Sequence, residues 1–391
     1  KALEREYKTL DATLQTWLST KIEGVGEFGS PAYREQLRIR SAIVRALKDA
    51  WRQIGPRHYD ATGRYLGQLI HLEDVAIQLQ LQSLPALSAN FSHVTRLDFS
   101  RTGFNDANVP FLANFSRLIS LNLEACELTQ LPPAITQMSR LWELGLAENQ
   151  IVLDAEAVAR LRSLRQLRRI ELDGNPLGLA PDVSQMPGLR MLWLADTGLT
   201  GWPEGLFASQ RPRTFMLDLD ANRLSRIPEV APGSDRAAII ARTVVDRELL
   251  TPEVLRAIDR YAESTGIDPS RIFPPKGDGD SAFWKAGMTQ EEWQAKQPVW
   301  EALEDAHGSE PFFNEIRKLL KSSDATTPEY KAELTAKVWR MLEAADAEPR
   351  LRDRLFRMAR APTTCVDAGA QLFNAMGVEV MEWEAHAAGR P

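Results

Sequence analysis

The sequence predicts an α+β multidomain chain: N-terminal helices, a parallel-stranded repeat solenoid, then an all-α domain. Three observations carry this. Six segments between residues 94 and 224 share one apolar spacing. Residues 1–55 show helical periodicity. From residue 282 onward, apolar stripes recur at helical spacing, with helix-start signals between them. At 391 residues the chain has room for two or three domains with cores of their own.

The six segments are "VTRLDFSRTGF" (94–104), "LISLNLEACEL" (118–128), "LWELGLAENQI" (141–151), "LRRIELDGNPL" (167–177), "LRMLWLADTGL" (189–199) and "TFMLDLDANRL" (214–224). Their fourth positions are Leu97, Leu121, Leu144, Ile170, Leu192 and Leu217, at intervals of 24, 23, 26, 22 and 25 residues. This is the leucine-rich repeat, whose period is about 20–29 residues. Paired leucines such as Leu121 and Leu123 point one way from a short strand into the core. The residues between and before them then face the concave side. Among these, Trp193 beside Met191 and Met216, with Glu171 nearby, are the candidate substrate contacts, Trp193 being the anchor because buried aromatics dominate binding energy. The alternative is that the patch is ordinary surface. Asn149, Asn175 and Asn222 occupy the slot where a side-chain amide bonds the turning backbone of its own and the next coil, and Thr102, Cys126 and Thr197 fill it elsewhere. Cys126 is thus read as a buried ladder residue. Residues 75–94 read as an imperfect first coil, as expected for a capped solenoid end.

Upstream, Leu3, Tyr7, Leu10, Leu14 and Trp17 fall at helical spacing. "GVGEFGSP" (24–31) breaks the pattern, with Ser30 as N-cap and Pro31 at the first helical position of the next helix. The pair reads either as a hairpin capping the solenoid or as the tail of an upstream domain. Downstream, "TPEVLRAIDRYAEST" (251–265) is a helix, and the polar "PPKGDGDS" (274–281) marks a boundary. Beyond it, Thr289 and Glu292 form a capping box, and Pro311 starts a helix that places Phe312, Ile316, Leu319 and Leu320 on one face. The predicted division is 1–64 helical, 65–230 solenoid, 231–280 helical cap and linker, and 281–391 helical domain.

The formal charge of −6 and pI near 5.6 argue against nucleic acid as the main partner, because phosphate binding wants a basic face. No apolar run approaches the ~18 residues of a membrane span. Two cysteines and five histidines, all scattered, imply no metal site and no disulfide framework. The chain opens on Lys1 with no signal peptide and reads as a piece of a longer protein.

Cys365 stands apart from Cys126. Thr363 or Thr364 can cap a helix beginning near Val366, which puts the thiol at the first turn. Unpaired N–H groups and the helix dipole favour a thiolate there. Asp367 opposes that by placing negative charge nearby, so it suggests another task, such as orienting or deprotonating an incoming amine. A cysteine protease would need a histidine to activate the thiol, and no local signature supplies one. Thioester exchange needs none, because a thiolate is also the leaving group.

Repeats followed by a helical domain with "TTCVDAGAQLFNAM" (363–376) resemble the bacterial novel E3 ubiquitin ligase family, effector ligases delivered into host cells. The family's Cys-x-Asp motif falls on Cys365 and Asp367. "KVWRMLEA" (337–344) and "PRLRDRLFRMA" (349–359) resemble the helices leading into it, and Asn374 a family asparagine after it. The family motif often continues with Arg, whereas Ala368 and Gly369 follow here. The resemblance implies a cysteine-dependent, HECT-like ubiquitin-protein transferase. Cys365 would accept ubiquitin from a charged E2 conjugating enzyme, and Asp367 would help a lysine attack the thioester. The concave face would select a host protein, and the site of action would be the host cytoplasm. It implies no metal or organic cofactor. The family's domain runs well beyond its cysteine, whereas 26 residues follow Cys365 here (391 − 365), which leaves open whether this chain transfers ubiquitin by itself. The competing reading is a non-enzymatic repeat binding module with a structural helical tail and Cys365 in its core.

Overall fold

The computed structural model describes residues 1–60, 63–212, 214–265, 281–306, 309–359 and 368–389. The chain divides into two compact units: Lys1–Ser209 with Leu217–Ile227 and Val245–Thr251, and Gln210–Met216 with Pro228–Val244 and Pro252–Pro391.

The first unit opens with α1 (Ala2–Ser19) and α2 (Pro31–Trp51). Ser30 caps α2 by accepting from the Tyr33 N–H, with Pro31 in the first turn, as the residue types dictate. Leu10, Leu14 and Trp17 are buried, but Leu3 in the first turn of α1 is 69% exposed, so the buried stripe begins at least one turn later than its spacing suggests. The hairpin packs on the first coil of the solenoid. From α2, the buried Arg40 donates to the Gln80 side chain and to the Trp17 and Thr20 carbonyls, and His93 bonds the Ala50 carbonyl.

The solenoid strands are β1 (Arg57–Tyr59), β2 (Tyr65–His71), β3 (Val94–Asp98), β4 (Ser120–Asn122), β5 (Glu143–Gly145), β6 (Arg169–Glu171), β7 (Met191–Trp193) and β8 (Met216–Asp218), one sheet in chain order. The chain returns between them through short helices such as α3 (Gln78–Ser83) and α4 (Ala155–Arg162). Strands β2 to β7 run parallel, and Leu97, Leu121, Leu144, Ile170 and Leu192 stand in register. These leucines are buried, so each coil adds one layer to a continuous core. The edge strand β1 is antiparallel to β2, a cap that the repeat period does not foretell.

The coil geometry rests on two recurring devices. Arg101, Ala125, Glu148, Gly174, Asp196 and Ala221 all have positive φ, between 48° and 67°, at the same place in successive repeats. Only one is glycine, so the others hold a conformation that costs an L-residue about 1 kcal/mol. The residue after each is the ladder residue. Asn149 donates to the Leu123 and Leu146 carbonyls and accepts from the Leu128 N–H, and Asn175 and Asn222 repeat this one and three coils later. The bonds reach the preceding coil, not the following one, because the amide points back along the stack. Cys126 fits the same slot, its thiol donating to the Phe99 carbonyl at 3.2 Å.

In the second unit, α5 (Asp235–Arg242) packs on α6 (Pro252–Thr265). The "PPKGDGDS" boundary lies outside the described residues up to residue 280. Then come α7 (Ala282–Lys285), α8 (Gln290–Asp305), α9 (Glu310–Leu319), α10 (Ser323–Thr326), α11 (Pro328–Ala347), α12 (Pro349–Ala359) and α13 (Ala368–Ala387). Thr289 and Glu292 make the reciprocal capping box of α8. The core is aromatic: Trp300 meets Phe313 edge-on at 5.1 Å, and the Trp339 indole donates to the Trp284 carbonyl. No described helix is long and apolar enough to cross a membrane.

Candidate functional site

Two places hold the residues singled out above. Cys365 and Asp367 lie outside the described residues, immediately before Ala368, the first residue of α13. What the structure describes is the anchorage of that helix. Phe373, Met376 and Val380 fall on one face and are buried in the aromatic core. Two ion pairs bind the helix laterally: Arg340 of α11 donates through Nε and one Nη to the two carboxylate oxygens of Glu384, and Arg354 of α12 meets Glu379 at 2.8 Å. The first depresses the Glu384 carboxyl and raises the Arg340 guanidinium, through their mutual hydrogen bond above all. Asn374 lies on the exposed side of α13.

The other cysteine is chemically quiet. Cys126 is buried, and burial pushes its thiol up from the ordinary value, against the pull of hydrogen bonds from the Thr102 turn. A thiol kept protonated is a poor nucleophile.

The concave face is built from register. Arg96, Ser120, Glu143, Arg169 and Met191 form one row across β3 to β7, and Asp98, Asn122, Gly145, Glu171 and Trp193 the next. Glu171 and Trp193 are thus direct neighbours, both half-buried. Trp193 is not a bare anchor: the Arg169 guanidinium lies 4.9 Å from its ring centroid, while Arg169 Nε donates to Glu171 at 2.7 Å. Met191 is half-buried beside Arg169, and Met216 is half-buried at the start of β8.

A third row was missed by looking only between the paired leucines. The alternation continues past the second leucine and places Glu124, Ala147 and Asp173 on the same face. Gly145 of β5 and Ala147 just beyond it carry little or no side chain, and a hollow of about 530 Å³ opens over them. A Cβ on Gly145 would stand 2.9 Å from Asn122 Oδ1 and 3.3 Å from Glu171 Oε2, so glycine leaves room for both oxygens at the floor. Asp173 is pushed up to about 6, by burial first and then by Glu171, Asp218 and Glu148. Its Oδ1 is shielded and has no hydrogen-bond partner. Asp218 is raised too, again by burial. No three His, Cys, Asp or Glu side chains among the described residues converge closely enough to hold a metal ion.

Residues 284–390 match the family described as the C-terminal novel E3 ligase, LRR-interacting. The match covers most of the helical region, from within α7 to the end of α13. The matched span includes Cys365 and Asp367, and the words LRR-interacting agree with a chain that also carries leucine-rich repeats. The repeats themselves have wide company. A curated relative, the volume-regulated anion channel subunit LRRC8D of Rattus norvegicus, is 27% identical over 147 residues, 37% of this chain and 17% of its own length. The chain therefore spans a small part of that relative. Similar solved structures include an internalin of Listeria monocytogenes (15% identity, 54% of this chain and 50% of that one, TM-score 0.30) and a leucine-rich-repeat protein of Leptospira interrogans (14%, 48% and 62%, 0.29).

Proposed function

We propose that the chain is part of a cysteine-dependent E3 ubiquitin-protein transferase, with Cys365 as the acceptor of ubiquitin. The observation that carries this is the novel E3 ligase match over residues 284–390, with Cys365 and Asp367 inside it. The Cys365 thiolate attacks the carbonyl carbon of the thioester on a charged E2 conjugating enzyme. A new thioester forms at Cys365, and the E2 cysteine leaves as a thiolate. A substrate lysine, as its neutral amine, then attacks that thioester. Asp367 orients the amine and takes its proton, an isopeptide bond forms, and the Cys365 thiolate is released. No metal or organic cofactor enters these steps.

In this reading the solenoid selects the substrate through its concave face, with Glu171, Met191, Trp193 and Met216 among the contacts. The enzyme acts after secretion into a host cell, on host proteins. The division at residues 64, 230 and 280 is kept as the working domain plan.

The test separates the two steps. Asp367→Asn should still accept ubiquitin from a charged E2 but discharge it to free lysine about 10²-fold more slowly, the size of effect a positioned proton acceptor supplies. Equal discharge by Asp367→Asn and the parent would remove Asp367 from the mechanism. Trp193→Ala should weaken modification of the substrate and leave self-modification intact, and equal loss of both would deny the concave face its selecting role.

A further inference from the structure

The hollow over Gly145 carries more than a general binding surface. Carboxylates dominate the polar part of its lining. Five carboxylates line it (Glu124, Glu143, Glu148, Glu171 and Asp173) against two arginines, Arg96 and Arg169, a balance of −3 when all are ionised (2 − 5). Both arginines are already engaged, Arg96 with Asp98 at 3.7 Å and Arg169 with Glu171 and the Trp193 ring. No described side chain forms an ion pair with Glu124, Glu143, Glu148 or Asp173. Asn122 Oδ1, already bonded to the Glu124 N–H, adds one more acceptor at the floor.

Like charges held this close are costly until something cationic enters. A bare metal ion does not suit the arrangement, because no three of these carboxylates converge closely enough to hold one. A longer cation with several donors does: its stem can lie over Gly145 and Ala147, where there are no large side chains, while its head reaches the rim. The charge of this hollow specifies what it can receive.

We propose that this hollow receives a lysine or arginine side chain of an extended basic segment of the partner polypeptide, its cation held among Glu124, Glu143, Glu148 and Asp173. The inference rests on the concave face being the substrate-selecting surface and gives that substrate a chemistry. Neighbouring residues of the segment lie along Trp193, whose ring is already turned to a cation. The raised Asp173 carboxyl agrees with a site short of positive charge.

The full chain is titrated against two fluorescein-labelled peptides, GSGKRKGSG and GSGQQQGSG, by anisotropy at low and at physiological salt. The basic peptide should bind at least tenfold more tightly, and raising the salt should narrow the gap, as expected for ion pairing. Glu148→Gln with Asp173→Asn should reduce the preference at least threefold. The paired control Asp346→Asn with Glu382→Gln removes two exposed acids of the helical region and should leave it unchanged. No preference, no binding of either peptide, or an equal fall in both double variants would overturn the proposal. If Trp193→Ala still impairs substrate modification when the peptides show no preference, the face selects by another chemistry. If it does not, the selecting role itself is lost.

Discussion

The repeat unit and the helical unit hold their cores by different rules. In the solenoid one position carries one job in every coil: a leucine in register, a left-handed turn residue, then a small polar ladder residue. In the helical unit no position recurs, and the main core gathers tryptophans and phenylalanines, several meeting at steep angles, among leucines, alanines and methionines. Stability in the first is therefore spread along the stack, and in the second it is concentrated in a few large side chains. The difference extends to the two cysteines. Cys126 belongs to the repeating pattern and is explained by it, whereas Cys365 falls outside the repeats.

The largest expected effect falls on the concentrated core. Trp300→Ala removes a fully buried indole and should cost about 3–5 kcal/mol, read as lost protection in hydrogen exchange across the helices from α8 to α12. A loss under about 1 kcal/mol would mean that this core is as distributed as the solenoid's. Next comes Asn149→Ala, which strands the Leu128 N–H and the Leu123 and Leu146 carbonyls and should cost about 2–3 kcal/mol. Exchange should rise in the coils either side of residue 149, and uniform protection would show that the ladder is dispensable there.

Asp173 contributes with the opposite sign. Its folded value of about 6 lies above the ordinary 3.8, so the fold favours the protonated form. That contribution is fully present below about pH 4 and is lost as pH rises through about 6. Asp173→Asn should therefore stabilise the solenoid by about 1–2 kcal/mol at pH 7 and by nothing measurable at pH 4. A gain independent of pH would refute the ionisation account. The smallest effect is Ala221→Gly, which relieves the left-handed turn and should add about 0.5 kcal/mol by thermal melting, the entropic cost of glycine taking back part of the relief.

The same contrast explains what was legible beforehand. A strict period exposes the leucines, the ladder and both concave rows, because the strand alternation fixes which way each side chain points. The edge strand β1 escaped because three residues with one buried histidine make no period. Helix α5 escaped because "AAIIAR" (237–242) is buried throughout, and a helix hidden on every side shows no stripe. The acidic hollow depends on Glu124, Glu148 and Asp173, brought together from coils more than twenty residues apart, and the high Asp173 value depends on burial that no local segment encodes. Capping boxes and proline starts were readable because they act within one turn.

The central claim is that the cysteine outside the repeats is the ubiquitin acceptor, and the chain's having only two cysteines makes the test direct. A charged E2 is mixed with the chain, and the products are run with and without reductant. The account predicts a reductant-sensitive ubiquitin adduct that persists in Cys126→Ala and vanishes in Cys365→Ala. An adduct that survives Cys365→Ala, or that is lost with Cys126→Ala in a folded protein, would contradict it.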